Sequence, residues 1–215
     1  MKIKSYVILL VSCCVAAIFN YIPFSLIIGS SFSFFSFSNG VMPLLGVFGG
    51  SYGVILCVIC KFLIKPSHVF SVVLVHKLPG ICTTLYWVLN RFFTHVIIPL
   101  MMVCLFLIHP VGSHAFLYPL LWFIPIICYW CEMKTFFFQA LSATFLGHAV
   151  GSVAWLYMFP AMSPYVWHSI IPIAFIERVF FALIMSFIRY IILFVHVQIK
   201  QNAFLRDIMY ERAHT

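Results

Sequence analysis

Charge is scarce in this chain, and acid scarcest of all. Only 7% of the 215 residues are Asp, Glu, Lys or Arg, and 4 of those are acidic, with Asp207 the single aspartate. Soluble domains carry roughly 25% charged residues, so too few are present to cover a water-facing surface of this size. A lone aspartate excludes the paired-Asp intramembrane proteases. There is no HExxH zinc motif, no GxSxG elbow, and no Gly-rich phosphate loop with a Lys in register behind a strand. Ser152 lies four residues from His148, but neighbours on one helix seldom reach attack geometry and no oxyanion donor is evident. No enzyme is expected, and no primary pump, since a nucleotide-binding signature is missing. A channel would need a charged or carbonyl filter motif that is also missing. Nothing in the pattern calls for a cofactor.

Apolar side chains fill the space that charge leaves: 65% of residues are hydrophobic and 19% aromatic, and the mean hydropathy is +1.15. The expected class is all-α, a polytopic membrane helical bundle forming one domain, with the lipid bilayer as its surroundings. The net charge of +8 sits mostly at segment ends, where Lys and Arg set orientation. No basic cluster is interleaved with exposed aromatics, so nucleic acid is not an expected partner.

Of the 8 cysteines, Cys13, Cys14, Cys57, Cys60, Cys82, Cys104 and Cys128 fall in apolar runs, where a free thiol acts as a small hydrophobe. Cys57/Cys60 and Cys128/Cys131 have CxxC spacing, which puts both sulfurs on one helical face. With no adjacent His pair and no soluble redox domain, no metal site is expected. Residues 10–13 fit a lipobox by letter, but the apolar stretch before Cys13 is short for a signal peptide and the chain stays apolar to Gly29. An uncleaved first span is the expectation.

Spans are expected near 5–28, 41–64, 92–108, 115–130, 136–158 and 167–198, followed by a cytoplasmic tail at 199–215. Residues 66–90 are also apolar, but His76, Lys77 and Pro79-Gly80 interrupt them. A seventh crossing there would put the basic N-terminus and the basic tail on opposite sides. With about six transmembrane helices both termini are cytoplasmic, together with Lys61, Lys65, Lys77, Arg91 and Lys134. The 66–90 stretch is therefore read as re-entrant or interfacial, which is tolerated where protein buries it. The alternative keeps 68–89 as a span and merges the next two pieces. The expected location is the cell inner membrane, multi-pass.

Gly46, Gly49, Gly50 and Gly53 recur at helical spacing as a small-residue stripe, and Gly147/Gly151 form GxxxG; both are packing signals. Thr144, His148, Ser152 and Trp155 follow i, i+4, i+8, i+11 and share one side of the fifth span. A His between two hydroxyls, with an indole close by, suits a small polar ring held by stacking and a few directed hydrogen bonds. The plainer reading is a packed His bonded to a backbone carbonyl.

The last span carries Glu177, Arg178 and Arg189. A charge at mid-bilayer costs about 2.5–3.5 kcal/mol even on the insertion scale, so each needs a partner. Adjacent residues point about 100° apart on a helix. The expected arrangement therefore turns Glu177 toward a cavity and His148, with Arg178 packed against carbonyls of another helix. A latch between spans is the competing reading.

The segments YIPFSLIIG, the Phe/Ser-rich loop ending in Asn39-Gly40, and MPLLGVFGGSYGVILCVICKFL resemble the opening of the substrate-binding (S) subunits of energy-coupling-factor (ECF) vitamin transporters. Motifs carry the resemblance over the first third of the chain, and span layout carries it over the rest. It implies a bundle that takes up a vitamin-like micronutrient from the outer face, with the loop after span one, and Asn39 at its end, as a lid. It also implies a transmembrane scaffold subunit and ATPase subunits as partners. Ala16 and Ala17 are the nearest counterparts of that family's small scaffold-facing residues, without its full small-xxx-small spacing. The chain is similar in size and span number to the rod-shape-determining membrane subunits as well, which bind partners rather than solutes. The two classes differ in one demand: a solute carrier needs a polar cavity joining His148, Trp155 and Glu177, and a scaffold does not.

Overall fold

The computed structural model describes residues 3–26, 34–64, 73–159 and 162–213. These are helical apart from one short ribbon. Helix α1 (Ile3–Phe19) leads to antiparallel strands β1 (Pro23–Leu26) and β2 (Phe34–Ser36), then to α2 (Ser38–Val41) and α3 (Leu44–Ile64). Helix α4 joins a wide turn, Val73–Lys77, to Leu78–Leu85. It is followed by α5 (Phe93–Ile108), α6 (Pro110–His114), α7 (Tyr118–Trp130), α8 (Phe136–Met158), α9 (Pro164–Ser169) and α10 (Ile171–Ala213).

Among the described residues three stretches are long and apolar enough to cross a membrane: Leu44–Leu63 in α3, Phe136–Met158 in α8 and Ile171–Gln198 in α10. The apolar helices α5 and α7 are shorter. Within the α8 window 67% of residues are buried, against 17% for α10. Helix α8 is thus the central post, touched by α4, α5, α7 and α10, whereas most of α10 faces outward. That exposure explains its composition, because an outward face with Phe180, Leu183, Phe187 and Phe194 open is suited to lipid rather than water.

Local sequence explains where the helices depart from the expected spans. Helix α1 stops at Phe19 rather than near residue 28, since Pro23 has no N–H to continue it and starts a strand instead. The 167–198 span is broken between α9 and α10 at Ile170. Pro79 and Pro99 each follow a wide five-residue turn, Val73–Lys77 and Phe93–Ile97. A proline ring clashes with the carbonyl four residues back, and widening the turn relieves it.

The glycines of α3 do not make one stripe. A side chain on Gly46 would strike the Thr84 carbonyl of α4, and one on Gly49 would lie 2.6 Å from Leu9 of α1. Gly50 adopts φ 55°, ψ −134°, a left-handed kink that a residue with a Cβ rarely takes. Past that kink Gly53 rests on the Leu45 carbonyl. The four residues serve two helix contacts and one bend.

Of the 66–90 stretch, residues 66–72 lie outside the described residues. Helix α4 packs between α3 and α8. Its thirteen described residues rise about 20 Å. Gly147 and Gly151 supply the groove it fills. A Cβ on Gly147 would meet the Thr83 methyl and stand 2.9 Å from the Pro79 carbonyl oxygen, and one on Gly151 would be 3.0 Å from Pro79 Cγ.

Candidate functional site

The interior polar group is built on α7 and α8. Tyr118, 1% exposed, starts α7, and its phenol oxygen lies 2.8 Å from His148 Nε2 and 3.1 Å from Ser152 Oγ. One hydroxyl donates once, so it donates to one neighbour and accepts from the other. His148 and Ser152 are a helical turn apart on α8, and for that reason both can reach one oxygen. Tyr118 also lies within electrostatic range of Glu177 and Arg178 on α10, and His148 within range of Arg178.

Aromatic rings wall this group. The Tyr118 ring centre is 4.7 Å from that of Trp167 and 5.9 Å from that of Trp122. Trp155 belongs to the same apolar cluster and packs on Phe159 at 4.8 Å. Three indole N–H groups in the cluster, on Trp122, Trp155 and Trp167, are buried without a hydrogen-bond acceptor. Trp122 and Trp167 flank the hydroxyl relay and Trp155 shares their apolar cluster, so this region holds three indole donors without an acceptor among the described residues.

The other expected site residues are placed as follows. The Thr144 hydroxyl does not join Tyr118; it lies 2.8 Å from the Leu141 carbonyl and 3.2 Å from the Arg178 carbonyl, fastening α8 to α10. Glu177 does not turn to His148. Its carboxylate closes on Arg178 at 3.1 Å, with side chains 12% and 8% exposed. The 100° separation does not keep the two apart, because the Arg178 side chain is long enough to swing back along the helix. The Arg178 guanidinium also lies 4.9 Å from the Phe181 ring. Asn39 is half-buried on α2, which packs on α1 and α10. Hydrogen bonding at that corner runs through Ser36, Ser38 and Asn20 instead. The lid expected there falls partly on residues 27–33, outside the described residues.

Tyr118 is the residue that sequence reasoning passed over. So is a second buried pair, His95 Nε2 to the Tyr86 hydroxyl at 2.7 Å, with His95 Nδ1 2.9 Å from the Arg91 carbonyl. The CxxC spacing does not converge either: Cys60 Sγ lies 2.9 Å from Cys13 Sγ of α1, whereas Cys57 Sγ lies 3.3 Å from the Thr84 hydroxyl oxygen. Among the described residues no cluster of His, Cys, Asp or Glu is placed to hold a metal.

A separate cleft of about 300 Å³ opens beside the α7–α8 turn, lined by Arg91, Tyr129, Trp130, Glu132 and Lys134. Lys134, 2.6 Å away, holds the Glu132 carboxyl below its ordinary range.

Fold and site together define, among the described residues, a helical protein with three candidate membrane-spanning helices and a buried Tyr-His-Ser relay. No family model, curated protein or solved structure matches the chain.

Proposed function

We propose that this chain is a multi-pass protein of the cell inner membrane that binds a small ring compound, such as a vitamin-like micronutrient, within the helix bundle, as the solute-binding subunit of an uptake system. The observation that carries the reading is the set of acceptor-less indole donors on Trp122, Trp155 and Trp167 in the apolar cluster that holds Tyr118. A buried donor left unsatisfied costs about 1–3 kcal/mol. A ligand carrying carbonyl, carboxylate or ring-nitrogen acceptors recovers that cost and stacks on the same rings. In this reading His148, Ser152, Trp155 and Tyr118 contact the ligand, and Thr144 and the Glu177–Arg178 pair fix α10 against α8.

The proposed topology has six crossings, made by α1, α3, α5, α7, α8 and α10, with α4 entering without crossing. Both termini are then cytoplasmic, on the side of Lys61, Arg91 and Lys134. A transmembrane scaffold and ATPase subunits would supply the energy. The competing reading, a structural membrane subunit without a solute, is favoured by the tight packing of Trp122, which is 0% exposed, and by the closed Glu177–Arg178 pair.

The test is retention through purification. The full chain is isolated in mild detergent, denatured, and its extract examined by mass spectrometry against an empty-membrane control. A retained ring compound, lost in His148→Ala and in Trp155→Phe while both variants still fold, supports solute binding. An empty wild-type protein whose stability no micronutrient pool raises favours the structural subunit.

A further inference from the structure

Lys61 and Lys77 bring two ammonium groups to one corner between α3 and α4. Lys77 is 5% exposed, and its Nζ has no hydrogen-bond partner; it lies 4.0 Å from the centre of the Phe62 ring. Lys61 lies in the last turn of α3 and lays its Nζ and Cε over Gly80, where the missing Cβ leaves the space. The two lysines are within electrostatic range of each other.

Among the described side chains no carboxylate answers them. Of the chain's 4 acidic residues, Glu132 is held by Lys134 and Glu177 by Arg178. Asp207 and Glu211 lie in the terminal segment, whose side chains are outside those described. The nearby Thr83 and Thr84 hydroxyls bond the Gly80 carbonyl, and neither is a hydrogen-bond partner of Lys77 Nζ. Like charges so placed repel, and each resists burial unless an anion sits with it.

We propose that Lys61 and Lys77 form a site for one phosphate group, supplied by an anionic phospholipid headgroup or by soluble phosphate. Two rotatable ammonium groups on flexible stems suit a phosphate, which accepts from several directions. The depth fits as well. Lys61 falls within the Leu44–Leu63 apolar stretch, two residues from its end, which is where basic pockets between helices meet headgroups. The site is independent of the Tyr118 relay and does not rest on solute transport.

The experiment uses the full chain in neutral detergent, followed by thermal unfolding and native mass spectrometry. The probes are phosphatidylglycerol, with phosphatidylcholine as its control, and inorganic phosphate against chloride at matched ionic strength. Phosphatidylglycerol is expected to raise the unfolding midpoint and remain bound as one tightly held copy. Lys61→Gln and Lys77→Gln each weaken that binding about tenfold or more, the loss of one charged hydrogen bond. Gly80→Ala displaces the Lys61 ammonium while keeping its charge and weakens binding by a smaller factor, whereas Arg189→Gln leaves it unchanged. A shift by inorganic phosphate equal to that by the lipid assigns the source to solution, and a shift by the lipid alone assigns it to the membrane. The proposal is overturned if neither probe outdoes its control, or if both Lys variants bind like wild type. Should Lys77→Gln fail to fold, Lys61→Gln and Gly80→Ala decide the matter on the same criteria.

Discussion

Replacing Glu177 by Gln removes one charge from a pair whose side chains are only 12% and 8% exposed, with almost no change in shape. Breaking a buried pair from one side costs about 3–5 kcal/mol, because the surviving charge loses its counter-charge. The Arg178 guanidinium would keep its stacking on Phe181, which places the expected loss at the lower end, about 3 kcal/mol. For a chain of this length each kcal/mol moves the unfolding midpoint by about 2–4 °C, so Glu177→Gln should lower it by about 6–12 °C. The assay is thermal unfolding in a fixed detergent, followed by intrinsic Trp fluorescence. The double variant Glu177→Gln/Arg178→Met removes both charges and should recover most of the loss. A single variant within about 2 °C of wild type, or a double variant no better than the single, would refute a buried ion pair at this point on α10.

Three further outcomes are expected. Gly147→Leu forces a branched side chain into the Pro79 carbonyl and the Thr83 methyl and should cost at least about 1–3 kcal/mol, whereas Gly151→Ala, facing the Pro79 ring, should stay within about 1 kcal/mol; denaturant titration in mixed micelles reads both. Tyr118→Phe keeps the ring but takes the shared hydroxyl from His148 and Ser152, so it should lose about 1–3 kcal/mol in the same titration. Treatment with a membrane-permeant oxidant should join Cys13 to Cys60, whose sulfurs are 2.9 Å apart; peptide mass spectrometry should find the cross-link in Cys57→Ser and lose it in Cys13→Ser.

Long uncharged runs could be read directly. The apolar lengths of α8 and α10 need no tertiary knowledge, and GxxxG at Gly147/Gly151 announced a close helix neighbour through its spacing alone. The identity of that neighbour was not legible, because a groove does not say which helix fills it; the Pro79 end of α4 does. Periodicity also failed at Gly50, where helical spacing continues through a backbone that leaves the helix, and a positive φ leaves no mark in an apolar pattern. Tyr118 stayed hidden for a related reason. It is one of 10 tyrosines, and only the return of α8 beside α7 turns it into the partner of His148. At Glu177 and Arg178 the backbone angle was right and the inference wrong, because side-chain reach rather than Cβ direction decides whether neighbours can pair.

Helix α10 runs 43 residues without interruption to Ala213, about 65 Å from end to end. A bilayer with its headgroups is about 40–45 Å thick, so a rod of this length is longer than the membrane it is a candidate to cross. Tilting it by about 10° around its midpoint would swing the far tip through about 6 Å, by the geometry of its rise. Small rearrangements where α8 grips α10, at the Thr144–Arg178 contact, would therefore be read out, magnified, at the distal end of the rod.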